Sequence, residues 1–168
     1  HLKALVDQQV ANPLQAFQEV YQNAPQPTGQ LVRPKSLDDL AQRMRYRMAT
    51  LPDGRARYYS DDVVARYLGA LSATRVLLLE GLSGTGKTSL PVAVAEAMGA
   101  GCEVIEVQSQ WRDRGDLVGS YNPFHKRFYA QPFALALYRA GLPDFRERPF
   151  FIVLDELNLS HVEHYFAD

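Results

Sequence analysis

The residues Gly81-Leu82-Ser83-Gly84-Thr85-Gly86-Lys87-Thr88 satisfy the pattern G-x-x-x-x-G-K-[ST] in full, a spacing suited to holding phosphate. Glycines at 81, 84 and 86 let the backbone wrap an anion without Cβ clashes and take positive φ where a nest of N–H groups needs it. Lys87 would bridge β- and γ-phosphate oxygens as a point charge. The Thr88 hydroxyl would be an oxygen ligand for Mg²⁺, which holds those phosphates together. With Ser89, the candidate phosphate-binding set is Gly81, Leu82, Ser83, Gly84, Thr85, Gly86, Lys87, Thr88 and Ser89. Further along, the apolar run Phe150 to Leu154 ends in two adjacent carboxylates, Asp155 and Glu156. Where such a strand ends and bends, Asp155 can face the Mg²⁺ shell as a metal-site residue. Glu156 can then polarise an attacking water as general base, a task a metal-engaged carboxylate performs poorly.

These groups need elements to hold them. A phosphate loop needs a strand before it and a helix after it, so that free N–H groups are aimed at the anion. The apolar run Val76 to Leu79 predicts that strand, and Ser89 to Met98 predicts the helix. Pro91 is expected to tighten or kink the first turn, because its missing N–H forfeits a bond to the Lys87 carbonyl. The run Phe150 to Leu154 predicts a fully buried parallel strand. Ser36, with Asp39 three residues on, opens a helix whose face is Leu37, Leu40, Ala41, Met44 and Met48, ending before Pro52. Its Arg43, Arg45 and Arg47 fan round the cylinder, as a solvated or partner-facing surface does. Ser60, Asp61 and Asp62 start another helix through Val63, Val64, Tyr67, Leu68 and Leu71, its acids placed at the positive end. Residues 1–22 read as two short amphipathic helices punctuated by Asn12 and Pro13, residues 23–35 as a Pro- and Gly-rich linker, and residues 36–168 as the core.

Composition limits the alternatives. With 18 Lys+Arg against 19 Asp+Glu and a net charge of −1, the chain has no domain-wide basic field, which leaves nucleic acid at most a local patch. A lone Cys102 rules out an intrachain disulfide, and a reducing cytoplasm is the expected setting. The longest apolar runs fall far short of the roughly 20 residues that a membrane-spanning helix needs. The chain opens on His1 rather than Met, as a piece of a longer polypeptide would.

From Tyr58 to Asp168 the chain resembles the AAA+ ATPases, and within them the MoxR and McrB-like branch. The likeness rests on the phosphate loop, on Glu106-Val107-Gln108-Ser109-Gln110-Trp111-Arg112-Asp113, on Asp116-Leu117-Val118-Gly119, and on Leu154-Asp155-Glu156-Leu157-Asn158-Leu159-Ser160-His161 with Tyr165-Phe166-Ala167-Asp168. The resemblance implies an α/β fold, a three-layer P-loop sandwich with a parallel sheet in the order 5-1-4-3-2, preceded here by a helical region. Strands four and five, the sensor and the arginine finger would lie past Asp168. It also implies Mg²⁺-dependent hydrolysis of ATP, or of GTP, with Lys87 and Glu156 as catalytic residues. The subunit would belong to a homo-oligomeric, hexameric ring in which a neighbour supplies the arginine finger, and the ring would act on a protein or on DNA. The alternatives are a McrB-like, GTP- or ATP-driven DNA-translocating subunit of a restriction or defence complex, and a nucleotide-binding switch with little hydrolysis. In this frame Glu103 to Val107 is the second strand and Trp111 to Gly119 a charged connection. Gly119 to Gln131, with Tyr121, Pro123, Phe124, Phe128 and Tyr129, is an aromatic hairpin or loop that either lines a pore or neighbour contact, or packs over a sheet edge. Asn158 is either the polar residue of this branch or a helix cap, and His161, Glu163 and His164 are expected to be helix surface rather than a metal cluster.

Overall fold

The computed structural model describes residues 34–50 and 57–166; the expected helices in 1–22 and most of the 23–35 linker lie outside them. The described residues are mixed α/β and fall into two compact units, one within 34–102 and 148–151, the other within 103–147 and 152–166. Among them no helix is long and apolar enough to cross a membrane.

In the first unit, helix α1 (Leu37–Ala49) starts where Ser36 accepts a hydrogen bond from the Asp39 N–H, and α2 (Asp61–Ala73) starts where Ser60 accepts from Val63. Each cap satisfies one donor that the first turn leaves free. The three arginines of α1 do fan out. Arg43 bonds Asp39 at 2.7 Å and holds that carboxyl below its usual range, Arg45 reaches the Tyr59 carbonyl and Asp61, and Arg47 donates to the Ala97 carbonyl at 2.9 Å. Helix α3 (Ser89–Met98) is apolar on nearly every side, and packs Leu90, Ala93, Val94 and Ala97 against Met44, Met48, Val64, Tyr67 and Leu68. Met48, Val64 and Val94 are fully enclosed, each worth about 1.5–3 kcal/mol of burial.

Val76 to Leu79, expected as the strand before the loop, alternate in burial like an extended chain but lack the ladder of a strand. Leu77 and Leu79 pack on the core while Val76 and Leu78 are exposed, as the period of two in an extended chain requires. No strand pairs with them among the described residues, so they do not form a strand of either sheet, since a ladder requires a neighbour.

Strand β1 (Gly101–Glu106) pairs with β4 (Phe150–Asp155). The bonds Gly101 N–H to Pro149 O and Val107 N–H to Asp155 O join residues equally separated in sequence, so the pair is parallel. β4 is half-buried along its length, not fully buried as its apolar run predicts, because among the described residues β1 alone lies beside it in the sheet. The second unit packs Ile105, Val107, Trp111, Leu117, Ala136 and Tyr165 together, with Trp111 and Tyr165 edge to face at 5.3 Å. Strands β2 (Gly119–Asn122) and β3 (Arg127–Ala130) form an antiparallel hairpin, followed by α5 (Pro132–Ala140).

The expected charged connection holds a short helix, α4 (Arg114–Val118), closed by a reciprocal cap. Asp113 accepts from Gly115 and Asp116, and Asp116 in turn accepts from the backbone of Arg112 and Asp113.

Candidate functional site

The candidate phosphate loop lies between an extended segment and a helix, the setting that phosphate binding would need. Gly81, Gly84 and Gly86 all have positive φ, at 156°, 78° and 88°, and the last two lie in the region that glycine alone enters without strain. A side chain at Gly81 would place its Cβ 3.3 Å from Thr85 Oγ1, and one at Gly86 would place it 3.2 Å from Ser89 Oγ. The loop is therefore a cradle that a methyl group would begin to fill. Leu82, at its tip, is 81% exposed. The Thr85 hydroxyl donates to the Leu82 carbonyl at 2.8 Å, which closes the turn from within.

Lys87 is the loop's own cation. Its Nζ donates to the carbonyls of Gly81 and Leu82, at 2.8 and 2.7 Å, and so lies across the loop instead of standing out in solvent. An ammonium has three donors and no acceptor, and these carbonyls take two of them. α3 follows directly: Leu90 N–H donates to Gly86 O at 2.9 Å. Pro91 falls at the third helical position, and the helix runs through it from Ser89 to Met98; having no N–H, it cannot repeat toward the Lys87 carbonyl the bond that Leu90 makes to Gly86.

Tyr59 is the residue that motif reasoning passes over. Ser89 Oγ donates to Gly86 O at 3.1 Å and shares a 2.8 Å bond with the Tyr59 hydroxyl. A serine has one proton to give; with that proton on Gly86, Tyr59 is the donor to Ser89. The tyrosine ring also stands 3.4 Å from where a Gly86 Cβ would be, so it backs the last turn of the loop. The only sequence signal is its place one residue before the Ser60 cap. Behind α3, burial pushes the Cys102 thiol up to about 11, with Glu96 adding to it, and burial likewise pushes Tyr67 up to about 12.

The acidic pair sits at the end of β4. Asp155 is half-buried and its Oδ1 accepts from the Glu156 N–H at 3.1 Å. Glu156 itself is in the left-handed region, φ 53° and ψ 43°, a conformation that costs a non-glycine residue about 1–2 kcal/mol. The chain turns there, as the sequence anticipates, and leaves the Glu156 side chain exposed. A short 3-10 turn, Leu157–Leu159, follows, and the Ser160 hydroxyl bonds the Trp111 carbonyl to tie it down.

Asn158 is exposed within that turn and does not cap helix α6 (Val162–Tyr165), whose cap position is His161. His161 bonds Glu163 at 3.2 Å and its ring lies 5.2 Å from that of His164, but among the described residues no group of three potential metal ligands comes together. Comparison with family models, with curated proteins and with solved structures gives no match. The functional reading rests on the chemistry of these residues.

Proposed function

We propose that this chain is the nucleotide-binding part of a Mg²⁺-dependent nucleoside-triphosphatase of the AAA+ type, with ATP as substrate ahead of GTP. The observation that carries the reading is the loop of Gly81 to Lys87: glycines at positive φ, an ammonium laid across it, and a helix beginning directly behind. Such a loop offers backbone N–H groups and one mobile cation to a polyphosphate. The pairing of β1 with β4 supports the same reading, because the expected second and third strands are neighbours in the order 5-1-4-3-2. The alternation along Val76 to Glu80 suits a first strand.

The residues fit a hard divalent cation in kind, the Thr88 hydroxyl and the Asp155 carboxylate both being oxygen donors. Thr88 and Asp155 would hold the Mg²⁺, which would supply charge neutralisation to the triphosphate. Lys87 would leave the Gly81 and Leu82 carbonyls for phosphate oxygens, the loop N–H groups would orient the chain of phosphates, and Glu156, exposed at its bend, would accept the proton of the attacking water. A neighbouring subunit in a ring would supply the arginine for the remaining charge, and a protein or nucleic-acid partner would receive the resulting work.

Calorimetry with Mg·ATP and Mg·GTP tests the assignment and the base preference together. Lys87→Ala should weaken binding, by less than the about 10²-fold that two charge-assisted hydrogen bonds at about 1.5 kcal/mol each give outright, because Lys87 first gives up its bonds to two carbonyls. Unchanged affinity would remove the loop from the site. Multiple-turnover assays of the same protein separate an ATPase from a nucleotide-bound switch.

A further inference from the structure

The β2–β3 hairpin carries an arrangement that the nucleotide reading does not use. Its tip is closed by hydrogen bonds. Asn122 Oδ1 accepts from the N–H groups of Phe124 and His125, at 2.9 and 3.1 Å, and Lys126 turns the chain at φ 48°. At the other end Gly119 lets the strands close, since a Cβ there would lie 2.2 Å from the Tyr129 carbonyl oxygen.

This frame presents Phe124 at 92% exposure, with Tyr121 at 56% and Tyr129 at 45%. Large apolar rings held out on a fixed turn are costly to hydrate and mark a contact surface. Basic groups are interleaved with them: the Arg127 guanidinium lies 5.5 Å from the Tyr129 ring centre, the His125 ring bonds the Tyr129 hydroxyl at 2.9 Å, and Lys126 follows directly. From Leu117 to Pro143 the sequence has no Asp or Glu, although acids slightly outnumber bases in the chain as a whole. Among the described residues no carboxylate pairs with Lys126 or Arg127. The local charge is therefore positive, on a chain that is otherwise balanced.

We infer that this hairpin tip binds single-stranded nucleic acid, with bases stacked on Phe124 and the Tyr129–Arg127 layer and phosphates on Lys126 and Arg127. Exposed rings give every base a π surface, and cations beside them meet the backbone, which is the combination that binds single strands without sequence preference. A duplex keeps its bases stacked on each other and offers only the phosphates, so it should bind more weakly. None of these residues belongs to the candidate phosphate loop, and the binding does not depend on hydrolysis.

The test uses fluorescence anisotropy of the full chain, without nucleotide, against a labelled 20-nucleotide single-stranded DNA of mixed sequence and the same sequence as duplex. Polyglutamate and phosphatidylserine vesicles serve as competing anionic probes. Phe124→Ala should weaken single-strand binding about tenfold with the salt dependence unchanged, as loss of one stacked base does. Lys126→Ala with Arg127→Ala should instead lower the slope of log K against log salt by about 1.4, two phosphates at about 0.7 each. Binding of Mg·ATP should be unaltered in all of these variants, so a failed hairpin and a failed nucleotide site give different results. Single-strand affinity that neither change moves, equal affinity for duplex, or hairpin-dependent binding of polyglutamate or vesicles without DNA would overturn the inference.

Discussion

Replacing Gly86 by alanine probes the loop where backbone and packing demands coincide, and Gly84→Ala supplies the control. Both glycines have similar positive φ, 88° and 78°, so each alanine carries a left-handed strain of about 1–2 kcal/mol. They differ in their surroundings. A Cβ at Gly84 meets nothing within 4 Å, whereas at Gly86 it comes 3.2 Å from Ser89 Oγ and 3.4 Å from the Tyr59 ring. Relieving that crowding moves the Ser89 hydroxyl away from one or both of its partners, the Gly86 carbonyl and the Tyr59 hydroxyl, at about 1 kcal/mol for each bond lost. Gly86→Ala should therefore be the more destabilising by about 1–2 kcal/mol. For a chain of this size that is a further fall in Tm of about 2–8 °C, read by circular dichroism melts of the two variants. In a Tyr59→Phe background the excess should shrink, because one of the bonds at stake is already gone. Equal melting of the two variants, or a lower Tm for Gly84→Ala, would refute the role given to Tyr59 and Ser89.

Glu156→Gln should leave nucleotide affinity intact and lower turnover by a factor of about 10² or more, measured as phosphate release; parental turnover would move the base elsewhere, with Asp155 next to test. Gly119→Ala should open the hairpin, since the intruding Cβ meets the Tyr129 carbonyl oxygen and the Ala130 Cα and the backbone has to give way at more than about 3 kcal/mol; hydrogen exchange of the β2 and β3 amides reports it. The raised thiol value of Cys102 means that the folded chain keeps a proton that the unfolded chain loses. Stability from this group is full below pH 9.0, the ordinary thiol value, and falls as pH rises to about 11. Cys102→Ser should flatten that part of the Tm-against-pH curve, and alkylation of Cys102 at pH 8 should be slower folded than unfolded.

Much of this arrangement was legible because short-range chemistry decides it. Ser36 and Ser60 announced their helices through the donors they cap, and the glycine spacing of the loop allowed the backbone that it adopts. The bend at Asp155-Glu156 followed from carboxylates ending an apolar strand. What escaped depends on partners distant in sequence or on charges used for structure. Asp113 and Asp116 read as a charged connection because a reciprocal cap and a solvent-exposed acid look alike until the backbone closes on them. Tyr59 carried no signal beyond its place before the Ser60 cap, since its bond to Ser89 joins residues thirty positions apart. The segment 76–80 kept the alternation of a strand, but a ladder belongs to a pair of segments and could not be read from one.

If the loop binds phosphate as proposed, the resting bonds of Lys87 would make it selective in a way that its shape alone would not. An entering anion meets a lysine already engaged by two carbonyls, so binding is an exchange of one set of charge-assisted bonds for another. A small singly charged anion would offer the ammonium too little to release both carbonyls, and the latch would stay closed. A polyphosphate would offer several oxygens at once and open it. The same exchange means that Lys87→Ala would remove the competitor together with the contact, so the affinity lost in that variant understates what the lysine gives to a bound triphosphate.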